Sequence, residues 1–157
     1  MRLGPVRRTN SDAAPRPEFA KAPTPGADDR YERKEPIVPR VLVAEDEKDI
    51  QFLYTAWLRR EGYDVTTADN GLEAITAFEA SGFDIVILDV MMPEVDGLEV
   101  CRHIRAGDPH VPILMVSALA RPDDVERGLQ AGASLYVDKP VTPREVILRI
   151  NEVVAAA

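Results

Sequence analysis

The chain has a single cysteine, Cys101, so it cannot close an internal disulfide, which fits a reducing compartment. It has no apolar run approaching the roughly 18 residues that a membrane helix needs, so insertion into a bilayer is not expected. Its basic start, MRLGPVRRTN, is followed by no apolar stretch and does not read as a secretory signal. A cytoplasmic location is therefore the expectation. Positive charge is also scarce: 19 Lys and Arg face 27 Asp and Glu, for a net charge of −8. That weighs against direct nucleic-acid binding, because phosphate backbones select basic surfaces. No GxxxxGK[ST] occurs, which leaves a P-loop nucleotide enzyme unsupported. The two histidines, His103 and His110, stand apart from the acidic groups described below, and neither is assigned a catalytic role.

What is present divides in two. The length of 157 residues suits one domain plus an extension. Residues 1–36 hold six of the 13 prolines, and their scattered apolar residues follow neither the helical nor the strand period. This stretch reads as a disordered, Pro-rich N-terminal extension. Residues 37–157 carry the acidity and read as the folded domain.

From Ile37 onward, strand and helix patterns alternate five times. The strands are expected at Val41–Ala44, Tyr63–Thr67, Phe83–Leu88, Val111–Val116 and Ser134–Val137. The helices are expected at Glu47–Glu61, Gly71–Ala80, Gly97–Arg105, Asp123–Ala131 and Thr142–Val154. The first helix is predicted to bury Ile50, Leu53, Tyr54, Trp57 and Leu58, and the second Leu72, Ile75 and Phe78. In the third, Leu98, Cys101 and Ile104 face inward, Cys101 as inert core. Thr142-Pro143-Arg144-Glu145 is a capping box with proline at the first helical position. Short connections between alternating elements favour right-handed βαβ units, and apolar strands suit a parallel sheet covered on both faces. The fold class is thus α/β, with five parallel strands. Sites in such sheets form at the C-terminal strand ends.

Those ends collect chemistry. The first strand runs into Glu45-Asp46-Glu47, the third into Asp89, the fourth into Ser117, and the fifth into Asp138-Lys139-Pro140. Crowded carboxylates repel one another unless a cation compensates. Oxygen ligands of this kind suit Mg²⁺, which binds through a few carboxylates and accepts phosphate oxygens. A carboxylate can also act as nucleophile and form an aspartyl phosphate. Lys139 would then neutralise phosphate oxygens, and Ser117 could donate to one. Glu47 reads only as an acidic cap for the first helix. Met92 reads as a loop residue, and Asp96-Gly97 as the turn into the third helix.

The stretches VLVAEDE, ILDVMMPEVDG, ILMVSA and YVDKP, in this order and each at a strand end, resemble the response-regulator receiver family of two-component signalling, most closely its single-domain, chemotaxis-receiver-like members. The resemblance covers about residues 38–155 and implies a flavodoxin-like (βα)5 strand order. It implies that Asp89 is the phosphoacceptor and that Mg²⁺ is held by Asp46, Asp89, Glu45 (often through water) and the backbone carbonyl of Met91. Lys139 would bridge to the phosphoryl group, with Lys139-Pro140 a cis peptide. Ser117 and Tyr136 would form the hydroxyl and aromatic switch pair, although Tyr136 also suits plain core packing. Val141 stands where the family often has an aromatic residue. The implied partners are a sensor histidine kinase or histidine phosphotransfer protein, and a downstream protein bound through the face made by the fourth helix, fifth strand and fifth helix. The last helix ends near residue 157, so the expectation is a stand-alone receiver with no output domain after it.

Within that class, a phosphorelay intermediate or a phosphate sink is the alternative to a protein switch. The chain is not expected to be an enzyme beyond catalysing its own phosphorylation and dephosphorylation. Phosphatases of the haloacid-dehalogenase type also form an aspartyl phosphate, but they resemble a DxDxT signature, and Met91 occupies the place of its second Asp. A flavin-binding relative of flavodoxin is disfavoured, because acidic strand ends would repel the cofactor phosphate.

Overall fold

The structure, a computed structural model, describes residues 36–157, which form one compact unit. Apart from Pro36, the expected disordered extension lies outside the described residues. Five strands, β1 (Arg40–Ala44), β2 (Asp64–Ala68), β3 (Ile85–Leu88), β4 (Ile113–Ser117) and β5 (Leu135–Asp138), alternate with five helices. These are α1 (Lys48–Arg60), α2 (Gly71–Ala80), α3 (Gly97–Gly107), α4 (Pro122–Ala131) and α5 (Pro143–Ala155). All pairings are parallel and the strand order is β2-β1-β3-β4-β5. The order reverses direction at β1 and β3, so their C-terminal ends flank the crevice where α/β sheets place ligands.

Strand alternation splits the core into two layers. Leu42, Val86, Leu88, Ile113 and Met115 face Ala74, Val100, Cys101, Ile104 and Ala131 from α2, α3 and α4. Val41, Val43, Ile85, Ile87, Leu114 and Val116 face Tyr54 and Leu58 of α1 and Val146, Ile150 and Val153 of α5. The three central strands are buried almost throughout, as strands covered on both faces must be. Cys101 is fully buried, and burial pushes its thiol up to about 11.

Helix starts follow local chemistry. Asn70, Asp96 and Thr142 cap α2, α3 and α5 by accepting from the N–H of Glu73, Glu99 and Glu145. Gly132, at φ +115°, ends α4 in the left-handed region. Two predicted faces are corrected. Leu53 is 44% exposed, because α1 buries Gln51, Tyr54, Thr55 and Leu58 instead. Leu72 is 56% exposed, because α2 turns its small residues Gly71 and Ala74 inward. A Cβ on Gly71 would lie 2.0 Å from the Val95 carbonyl oxygen, so only glycine lets α2 approach the loop before α3 this closely. Met92, read as an ordinary loop residue, is 8% exposed and anchors its loop in the core.

Candidate functional site

The acidic site is assembled from three strand ends. Glu45 follows β1, Asp89 follows β3 and Lys139 follows β5. One carboxylate oxygen each from Glu45, Asp46 and Asp89 can lie within 4.8 Å of one another. Glu45 and Asp89 are buried, while Asp46 is the most open of the three. Lys139 Nζ donates to Glu45 Oε2 at 2.7 Å and to Asp89 Oδ2 at 2.9 Å. Asp89 Oδ1 accepts from the Met91 N–H at 3.1 Å. The Lys139–Pro140 peptide is cis.

One ammonium therefore serves two carboxylates, and the electrostatics follow. Burial raises the Glu45 carboxyl to about 7, helped by the charge on Asp89 and opposed by its hydrogen bond from Lys139. Burial works against the charge on Lys139, but hydrogen bonds to Glu45 and Asp89 outweigh it and hold its ammonium well above the ordinary value. The donor set is all oxygen, with acidic charge left over after Lys139 is counted. That fits a hard divalent cation such as Mg²⁺, with Glu45, Asp46 and Asp89 as the side chains able to hold it.

Backbone packing fixes the position of Asp89. Asp89 N–H donates to the Ala44 carbonyl at 3.0 Å, which ties the end of β3 to that of β1. A Cβ on Gly97 would fall 2.0 Å from the Asp89 carbonyl oxygen, so the first turn of α3 touches this carbonyl only because residue 97 is glycine. Sequence reading placed Gly97 in a turn and missed this contact. Glu47 occupies the cap position of α1 but makes no side-chain capping bond. Its N–H instead donates to Glu45 Oε1 at 3.1 Å. The reading of Glu47 as a cap thus holds for its position and not for a capping bond.

Ser117 and Tyr136 lie beside the acidic group without bonding to it. Ser117 is fully buried, and its Oγ accepts from the Leu119 N–H at 3.2 Å. Tyr136, half-buried on β5, donates its hydroxyl to the Leu119 carbonyl. Leu119 thus joins the two residues expected to form a switch pair. Gln51, which sequence reading did not single out, is buried with its amide against the backbone of Glu45. The available signal was a polar residue one helical turn before Thr55 and two before Leu58 on the inward face.

The sequence pattern of the response regulator receiver domain matches residues 41–151. The chain belongs to the response regulator receiver family. It is 42% identical over 114 residues to the alkaline phosphatase synthesis transcriptional regulatory protein PhoP of Bacillus subtilis, covering 73% of this chain and 48% of that protein. It is 40% identical over 112 residues to the DNA-binding response regulator MtrA of Mycobacterium leprae, covering 71% and 49%. The receiver thus spans about half the length of the curated relatives it matches. A CheY-like receiver domain protein from Methanospirillum hungatei superposes with a TM-score of 0.73 at 28% identity, over 76% of this chain and 95% of that one. The receiver domain of the Francisella response regulator 1452 gives 0.69 at 34% identity, over 75% and 98%. Proteins of this family act in two-component signalling, and phosphorylation on aspartate with Mg²⁺ binding is typical of them. They are signalling proteins and not enzymes in the ordinary sense.

Proposed function

We propose that this receiver accepts a phosphoryl group on Asp89 from the phosphohistidine of a sensor kinase or histidine phosphotransfer protein, and that the modification alters what its α4–β5–α5 face binds. The observation that carries this reading is Lys139 lying between two buried carboxylates, Glu45 and Asp89, each with an oxygen within 4.8 Å of one from Asp46.

The chemistry is a displacement at phosphorus. An Asp89 carboxylate oxygen forms the new P–O bond while the N–P bond to imidazole breaks, and the electron pair leaves with the imidazole. Mg²⁺, held by Glu45, Asp46, Asp89 and the Met91 carbonyl, would supply positive charge for the phosphoryl oxygens. The Met91 N–H holds Asp89 Oδ1, which leaves the carboxylate oriented before the donor arrives. Lys139 gives up part of its bond to Asp89 and compensates the incoming charge. Ser117 turns its hydroxyl from Leu119 to a phosphoryl oxygen, which frees Leu119 and with it the partner of Tyr136. The strain of that exchange reaches α4 and β5.

Relatives about half the length of which is matched by this chain are named transcriptional or DNA-binding regulators. The acidic receiver itself is not the part suited to meet DNA. Its signal passes through a protein surface, whether the recipient belongs to the same polypeptide or to another.

The test is labelling with acetyl phosphate, followed by intact-protein mass spectrometry. One base-labile phosphoryl group is expected on wild type with Mg²⁺ and none in excess chelator. Asp89→Asn keeps the shape and removes the nucleophile, so it should stay unlabelled. Equal labelling of Asp89→Asn, or full labelling in chelator, would refute the assignment.

A further inference from the structure

Gln51 is buried on α1, one turn into the helix, where an amide is costly unless its hydrogen bonds are met. It meets them on the backbone of the acidic loop. Its Nε2 lies 3.0 Å from the Glu45 carbonyl oxygen, 3.3 Å from the Ala68 carbonyl oxygen and 2.9 Å from Asp69 Oδ1. Two N–H bonds are thus shared among three acceptors. Glu45 N–H, meanwhile, donates to the same Ala68 carbonyl at 3.1 Å. Both main-chain groups of Glu45 are therefore fixed, the N–H by the end of β2 and the C=O by the Gln51 amide. Asp69 is itself held from outside by an ion pair with Lys48, so the far anchor of the amide is steady.

This arrangement controls the peptide between Glu45 and Asp46. If the amide were lost, the Glu45 carbonyl would be left buried with an unmet lone pair. The readiest relief is rotation of that peptide toward water, and it would carry the Asp46 carboxylate with it. Asp46 is the most open of the three carboxylates, and no hydrogen bond or ion pair from its side chain holds it among the described residues. Its place near Asp89 depends on the peptide before it.

We infer that Gln51 is a positioning residue for the cation site: its amide holds the Glu45–Asp46 peptide in the orientation that brings Asp46 to Asp89. This rests on the function proposed above. It differs from a merely structural role in one respect: the loss should fall on Mg²⁺ affinity and be reversible by Mg²⁺.

The decisive variant is Gln51→Met, which keeps length and volume and deletes both donors. Isothermal titration should show Mg²⁺ affinity weakened about tenfold, the lower end of what loss of a supporting group around a metal site costs. Labelling by acetyl phosphate should slow at limiting Mg²⁺ and return to the wild-type rate when Mg²⁺ is raised about tenfold. Asp69→Ala, made at a partly exposed side chain, removes the outer anchor without touching the core. It should weaken Mg²⁺ in the same direction by less. Wild-type Mg²⁺ affinity in Gln51→Met overturns the inference, as does slow labelling that no Mg²⁺ concentration restores. Should Gln51→Met fail to fold, unchanged affinity in Asp69→Ala overturns it alone. Failure of wild type to bind Mg²⁺ or take a label would overturn the proposed function itself, so the two failures are distinguishable.

Discussion

The acidic corner and the hydroxyl corner of this receiver sit at neighbouring strand ends and are built in opposite ways. Glu45, Asp89 and Lys139 are ion-paired, largely buried and tied to the main chain at several points. Ser117, Leu119 and Tyr136 share two hydrogen bonds, both to the main chain of Leu119, in a loop whose neighbours Ala118 and Ala120 are exposed. The first arrangement is stiff and charged, as a site that must hold a reacting group needs to be. The second is neutral and lightly held, so a new acceptor can displace it at small cost. On the proposed function, chemistry and readout would thus fall in two corners that differ in how firmly they are held.

That difference predicts a large effect from disabling the stiff corner. Lys139→Met leaves Glu45 and Asp89 buried without their counter-charge. Breaking a buried pair in this way costs about 3–5 kcal/mol. Urea unfolding in chelator should register that loss, and Mg²⁺ should restore part of it by binding the folded state. A loss no larger than that of a surface substitution would erase the contrast between the corners.

A smaller effect concerns pH. The Glu45 carboxyl is raised from 4.5 to about 7 by burial, so the folded state binds a proton more tightly than the unfolded chain does. The associated stability is fully present below about 4.5 and is lost as pH rises toward 7. Unfolding of the metal-free protein should follow that slope, and Glu45→Gln should flatten it. Because Mg²⁺ replaces the proton, its stabilising effect should be larger at pH 8 than at pH 5. A wild type and a Glu45→Gln variant with identical pH profiles would show that Glu45 is not the titrating group.

Each corner was legible in the sequence only in part. Asp89, Glu45, Asp46 and Lys139 were readable because strand ends in a parallel α/β sheet converge, and carboxylates and a lysine at those ends have few other reasons to be there. The alternation of five strands and five helices was readable for the same reason: apolar runs and helical periods are local. The rotation of α1 was not. Ile50, Leu53 and Trp57 are apolar and correctly spaced, yet the inward face also takes in Gln51, a polar residue whose partners lie just before α1 and on the loop after β2. Nor could composition reveal that Gly97 and Gly128 are clearances for a carbonyl and for an aromatic ring, since those contacts exist only after the sheet has formed.

Gly128 gives the smallest and most selective test of the comparison. It lies inside α4, where glycine costs about 0.5–1 kcal/mol relative to alanine. A Cβ there would meet Tyr136 Cδ2 at 2.6 Å, Tyr136 Cε2 at 2.8 Å and Met115 Sδ at 3.0 Å. The bare backbone of α4 is therefore the seat of the Tyr136 ring, and the hydroxyl bond to Leu119 keeps the ring in it. Gly128→Ala fills the seat. The helix gains its propensity, the ring loses a hydrogen bond worth about 1 kcal/mol, and the net stability should move by less than either. What should move is the ring. A fluorotyrosine label read by ¹⁹F NMR should report Tyr136 shifted toward solvent in the unphosphorylated variant, while labelling of Asp89 stays near wild type because the acidic corner is untouched. In a Tyr136→Ala background the clash with the ring is absent and only the flexible end of Met115 must give, so Gly128→Ala should then stabilise by up to the helical increment, about 0.5–1 kcal/mol. If the same substitution stabilises equally in both backgrounds, or leaves the tyrosine resonance in place, the ring does not depend on Gly128, and the hydroxyl corner is stiffer than its two hydrogen bonds imply.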